Sequence, residues 1–311
     1  MPQFDVTIAG ELNLDLILYG LPEQLAPERE LLAENMMLTL GSSSAIVAHN
    51  LAALGSRVGF VSCIGEDSMG DIALQRLAAS GADVRQVVRK SGTQTGLTVI
   101  LQHGSWRNIL TYPGTIFDLK LEHIDTEYIS SSRHFHFSSY YLQRGLRPHV
   151  PDLFRGLKQQ GLTISLDPND DPEDEWKNDI EAALQHVDIF LPNAREAKKI
   201  ARTENIEDAV SRLAAIVPLV IVKIGAEGAL AQRGRERFVS PATRIEIVDP
   251  VGAGDSFDAG FLHKFLRGGD LHSALAAGNA TAALSTTRAG GTEAFRDAEY
   301  RNSFLQNQFE G

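Results

Sequence analysis

Short apolar runs rich in β-branched residues recur along the chain, and between them lie longer stretches whose apolar residues return every three or four positions. Phe4–Gly10, Val58–Ile64, Leu162–Leu166, Val187–Leu191 and Leu219–Ile224 read as buried strands. A helix is predicted from the Gly41–Ser44 turn to Gly55, with Ser42 to Ser44 as its caps, and an amphipathic one follows the Gly65–Gly70 loop, capped by Asp67. Ile245–Val248 reads as the end of a further strand. It leads through a glycine turn into a helix that carries Phe257, Phe261, Leu262, Phe265 and Leu266 at helical spacing. Strand and helix alternating in this way predict a doubly wound, Rossmann-like three-layer α/β/α domain. Thr95–Tyr112 departs from that rhythm: it alternates weakly, carries Gly96, Gly104 and Gly114, and reads as a β-hairpin.

The 311 residues are 43% hydrophobic, enough for one large α/β domain with an accessory piece. A formal charge of −11 argues against nucleic acid or an anionic membrane as the main partner, because both are engaged through Lys and Arg. The lone cysteine, Cys63, rules out an intramolecular disulfide framework and sits in an apolar strand, as a structural thiol would. No basic and apolar leader opens the chain and no apolar segment approaches the roughly 20 residues of a membrane span, so a cytoplasmic location is expected. His134 and His136 share one side of a strand, but no third ligand is evident, which makes them structural.

Candidate chemistry concentrates at the ends of predicted strands. Gly252 and Gly254 let the backbone approach a ligand closely, and the amides of Gly252, Ala253 and Gly254 converge at a helix start as an anion site. Asp255 has two local readings there, a helix cap or a general base. Asn13 and Asp15 share one face of an extended segment, solvated or ligand-binding. Asn193 and Glu196 form a capping-box pattern. Lys223 precedes a turn with Gly225 and Gly228, and Asp167 and Asn169 end another strand. Arg107 points either to solvent or to substrate.

The run Asp249–Gly260 resembles the second signature of the ribokinase-like, or PfkB, family of carbohydrate kinases; Asn193–Glu196 matches another motif, and Gly41–Gly55 the first signature. The resemblance implies an ATP- and Mg²⁺-dependent sugar kinase in which Asp255 is the catalytic base and Gly252, Ala253 and Gly254 form the anion hole. Asn13 and Asp15 would contact sugar hydroxyls, with Gly41, Ser42 and Arg107 beside the sugar. Ile46 stands where the family has Asn, and Asn50 follows one helical turn later. On the nucleotide side the resemblance places Asn193, Lys223, Gly225, Gly228 and Asn279, with Glu196 reaching Mg²⁺ through water. It also implies a monovalent cation such as K⁺ near Asp249 and the Arg288–Thr292 loop. Segments of about 12–40 and 93–114 would form a small lid, through which a homodimer could assemble. A nucleoside kinase of the same fold and a non-catalytic sugar or nucleotide sensor are the alternatives.

Overall fold

The computed structural model describes residues 2–103, 106–177 and 179–309; Gly104, one of the hairpin glycines, lies outside them. In chain order the strands are β1 (Phe4–Ala9), β2 (Leu14–Leu21), β3 (Asn35–Leu40), β4 (Val58–Gly65), β5 (Asp83–Lys90), β6 (Leu97–His103) and β7 (Trp106–Tyr112). They continue with β8 (Ser132–Ser138), β9 (Thr163–Asp167), β10 (Ile189–Phe190), β11 (Leu219–Lys223), β12 (Ala229–Arg233) and β13 (Glu236–Ser240).

Nine of them form one sheet in the order β13-β12-β11-β10-β9-β8-β1-β4-β5. From β5 to β11 every pairing is parallel; β12 and β13 close the far edge as antiparallel strands. Parallel strands need both faces covered, and the side chains divide accordingly. Val61, Cys63, Val220 and Val222 enter one core with Phe135 and Phe154, whereas Phe60, Ile64, Leu219 and Ile221 enter the other with Phe261 and Leu275. The sheet is therefore the middle of a three-layer α/β/α fold, as the alternation of elements predicts. β1 is the switch point, because the chain builds outward from it on both sides, and open sheets bind ligands beyond the carboxyl ends of strands at such a point.

The remaining strands form a separate sheet, β3-β2-β6-β7. Its register pairs Asp15 with Thr39 and Thr98, Ile17 with Met37 and Ile100, and Gln102 with Arg107. Paired residues lie on the same side of a sheet and alternate residues on opposite sides. One face thus carries Asp15, Ile17, Thr98, Ile100 and Arg107, and the other Leu16, Leu38, Val99 and Leu110.

Two local expectations are overturned. Ile245–Val248 joins neither sheet; it runs as an irregular segment after β13, and the Val248 N–H donates to Thr286 O at 2.8 Å. Its β-branched side chains are apolar because Ile245 and Ile247 wall a cavity, not because they pair in a ladder. The serines before the helix Ser43–Ala53 make no cap hydrogen bond through Ser42. The Ser42 hydroxyl donates to Glu11 O at 2.8 Å, and the Glu11 carboxylate caps the helix from outside by accepting the Ser44 N–H at 3.2 Å.

Candidate active site

Gly252 takes a left-handed conformation (φ 74°) and opens the helix Ala253–Phe265. A Cβ there would lie 2.5 Å from the Gly291 Cα, so the turn is pressed against the following loop and only glycine fits. The side chain of Ile46 closes the same contact, its Cδ1 2.9 Å from where a Gly291 Cβ would stand. Asn50 is buried and donates to Gly291 O at 3.1 Å and to Ser256 Oγ at 3.0 Å. It anchors the loop behind the turn and does not replace the hydrogen-bonding side chain that Ile46 lacks.

Asp255 sits in the first turn of this helix with its carboxylate accepting the Ser43 hydroxyl. Neither cap position uses it, so the helix-cap reading fails. Burial, reinforced by Asp167, pushes its pKa up to about 6, against the pull of the Ser43 hydrogen bond and Lys223. Across the cleft Asp15 is only 6% exposed, which rules out a solvated strand face. Burial pushes Asp15 up to about 7, and the charges of Asp255, Asp249 and Glu11 add to it. Gly41 makes room for that carboxylate: a Cβ at Gly41 would lie 2.0 Å from Asp15 Oδ1. Buried Asn13 donates to Leu14 O at 3.1 Å. Arg107 shares the inward face of the small sheet with Asp15 but is exposed on edge strand β7.

Glu11, just past the end of β1, is a residue that sequence reasoning passed over. Buried at the switch point, it accepts the Ser139 hydroxyl at 2.7 Å, the Ser44 hydroxyl at 2.8 Å and the Gln143 amide at 2.5 Å. These donors come from two segments far apart in the chain, and no local spacing signals them.

On the other side of the glycine turn lies a cavity of about 720 Å³ walled by Lys223, Gly225, Gly228, Ile245, Ile247 and Asn279. That volume suits a nucleotide-sized ligand. Gly228 (φ 99°) passes so close to Ser240 O that a Cβ would lie 2.1 Å from it. The Asn279 amide donates to Ser240 O and Pro241 O, both at 3.1 Å, and so holds the cavity rim in place. Lys223 is not the exposed strand-end lysine that its position allowed. Its Nζ lies 2.6 Å from Asp167 Oδ2 and 3.1 Å from Asp258 Oδ1, with both carboxyl groups buried.

Asn193 and Glu196 form the reciprocal capping box: Asn193 Oδ1 accepts the Glu196 N–H at 3.0 Å and Glu196 Oε2 accepts the Asn193 N–H at 2.8 Å. Burial, then Asp167, pushes the Glu196 pKa up to about 8. His134 and His136 are saturated by Thr163, Ser165 and Ser138 hydroxyls, all at 2.7 Å, and are structural. Among the described residues no cluster of three His, Cys, Asp or Glu side chains could hold a metal alone. Nor is any helix among them long and apolar enough to cross a membrane.

The family model described as pfkB family carbohydrate kinase matches residues 3–298. An ATP-dependent ribose-1-phosphate kinase from Halopiger xanaduensis is 29% identical, covering 98% of this chain and 99% of its own. A ribokinase from Haemophilus influenzae is 25% identical over 97% of this chain and 98% of its own. A solved E. coli structure assigned to ribokinase II, in complex with ATP and Mg²⁺, superposes with a TM-score of 0.84 at 26% identity, covering 98% of this chain and 99% of that one.

Proposed function

The chain belongs to the pfkB family of carbohydrate kinases, and from that premise we propose that it transfers the γ-phosphate of ATP to a sugar hydroxymethyl group with Asp255 as general base. The observation that carries this reading is the position of Asp255. Its carboxylate stands at a left-handed glycine turn between the acidic cleft of Asp15 and the large cavity beside Lys223. Asp255 takes the proton of the acceptor hydroxyl as its oxygen bonds to phosphorus and the bond to ADP breaks. The N–H groups of Gly252, Ala253 and Gly254 face the charge that develops on the phosphoryl oxygens. Asp15 and Asn13 accept and donate hydrogen bonds to the sugar, with Gly41 and Ser42 at its edge and Arg107 on the inward lid face.

The nucleotide occupies the cavity of Gly225, Gly228 and Asn279. Mg²⁺, when bound, neutralises phosphate charge, and Glu196 with Asp167 fits it through water. Asp167 is already paired with Lys223 and Glu196 with Asn193, so these carboxyl groups would hold Mg²⁺ only through its own waters, several of which it keeps while it binds phosphates. The small sheet, segments 12–40 and 93–114, acts as a lid that keeps water from the phosphoryl group. Its outward face, with Leu110 56% and Met36 60% exposed, is covered by a second copy of the chain.

The acceptor follows from measuring ADP release over a panel of sugars, sugar phosphates and nucleosides. Robust turnover with a sugar, lost by about 10²–10⁴ in Asp255→Asn, supports the reading. Ligand-induced stabilisation without ADP release would make the protein a sensor, and turnover confined to nucleosides would change the acceptor class.

A further inference from the structure

Asp249 opens the anion-hole turn, and protein donors alone satisfy its carboxylate. Oδ1 accepts the Val251 N–H at 3.0 Å. Oδ2 accepts the Gly290 N–H at 2.9 Å and the Tyr19 hydroxyl at 2.8 Å. The donors belong to the turn, to the loop behind it and to β2 of the small sheet. Burial, with the Asp249 carboxylate beside it, drives the Tyr19 pKa upward, so the phenol remains a donor. The same junction is packed by Ile17 and Ile100 of the small sheet against Val251.

A monovalent cation near Asp249 would need converging oxygens in place of its lost hydration. Of the oxygens there, the Asp249 carboxylate, Gly291 O and Thr286 O already accept protein donors. Gly291 O accepts from Asn50, and Thr286 O accepts the N–H groups of Val248 at 2.8 Å and Asp249 at 3.2 Å. These contacts hold the turn and the loop behind it against each other.

We propose that Tyr19 is a positioning residue: its hydroxyl ties the small sheet to Asp249 and so sets the Val251–Gly252 turn. The anion hole is then fully formed only while the small sheet is seated, so closure over the acceptor and readiness for phosphoryl transfer become one event. The proposal rests on the kinase reading for its catalytic consequence, but its structural core is independent of that reading.

Hydrogen exchange of the peptide spanning 248–254, compared between wild type and Tyr19→Phe, tests that core whatever the acceptor proves to be. Exchange at least tenfold faster in the variant is expected, with global melting preserved; unchanged protection of the turn overturns the proposal. In the active enzyme, Tyr19→Phe should lose roughly tenfold or more in kcat, since small misplacements of reacting groups are costly, while the KM for ATP stays within about twofold. Ile100→Val trims the apolar contact and keeps the hydrogen bond, so its kcat should stay within about twofold of wild type. Equal losses in the two variants would assign the junction to packing alone and overturn the role of the hydroxyl. Absence of all phosphoryl transfer from wild type would instead refute the kinase reading and leave the exchange result to decide Tyr19.

Discussion

Asp255 and Asp15 are carboxyl groups within electrostatic reach of each other, and the loss of water around them sets the pH at which each can work. On the proposed mechanism Asp255 must be ionised to act as base, and burial raises its pKa to about 6. Turnover should therefore climb as pH rises through about 6 and level off above it, and a pH profile of kcat checks this. The same shift has the opposite sign for stability. Ionisation of Asp255 is disfavoured in the folded state, so the protein loses stability as pH rises from the ordinary carboxylate range through about 6. Asp255→Asn removes that cost: it should melt higher than wild type at pH 8 and about equally at pH 4, read by thermal denaturation. Gain of stability with loss of catalysis is the signature of a functional carboxylate, whereas a helix cap changed from Asp to Asn would keep both.

The turn and its helix act as one element. Gly252 cannot carry a Cβ because the Gly291 Cα occupies that space, and its φ of 74° disfavours other residues as well. Gly252→Ala should cost roughly 1–3 kcal/mol in stability. On the proposed mechanism it should also lower kcat at least tenfold, because displaced amides would no longer face the transferring group. Denaturant melts and single-turnover kinetics separate the two effects. The helix Ala194–Ala201 shows an element serving two ends at once: its capping box is satisfied by Glu196, and the same carboxyl faces the charge cluster of Asp167 and Lys223. Lys223 marks the register of β11 against β10, since its Nζ reaches the buried pair Asp167 and Asp258 only from the strand's carboxyl end.

At the scale of the molecule, a chain of net charge −11 keeps Lys223 on the cavity wall, paired with buried Asp167 and Asp258. The small sheet is the other feature that local physics leaves unfinished. Its register gathers Leu16, Leu38, Val99 and Leu110 on one face and Asp15, Thr98 and Arg107 on the opposite one. A four-stranded sheet with an apolar outer face is stable in water when that face is covered. Light scattering should give twice the 33.9 kDa chain mass, and Leu110→Glu should shift the protein to the monomer. A wild-type chain that runs as a monomer at micromolar concentration would end that reading.

Hydrophobic periodicity was enough to place the buried strands, the helices Ser43–Ala53 and Ala253–Phe265, and the hairpin of β6 and β7, because each depends on contacts within a few residues. Short motifs likewise marked the Gly252 turn and the Asn193–Glu196 capping box, whose geometry lies in one local stretch. Ile245–Val248 misled for the same reason: β-branched residues suit a cavity wall as well as a ladder, and only the missing strand partner tells them apart. The fold alone decided what joins distant segments. It brought Ser139 and Gln143 to Glu11, Asp258 to Lys223, and Tyr19 to Asp249, 230 residues away. Such pairs leave no periodic trace, since one hydrogen bond between remote residues constrains neither the spacing nor the composition of its neighbours.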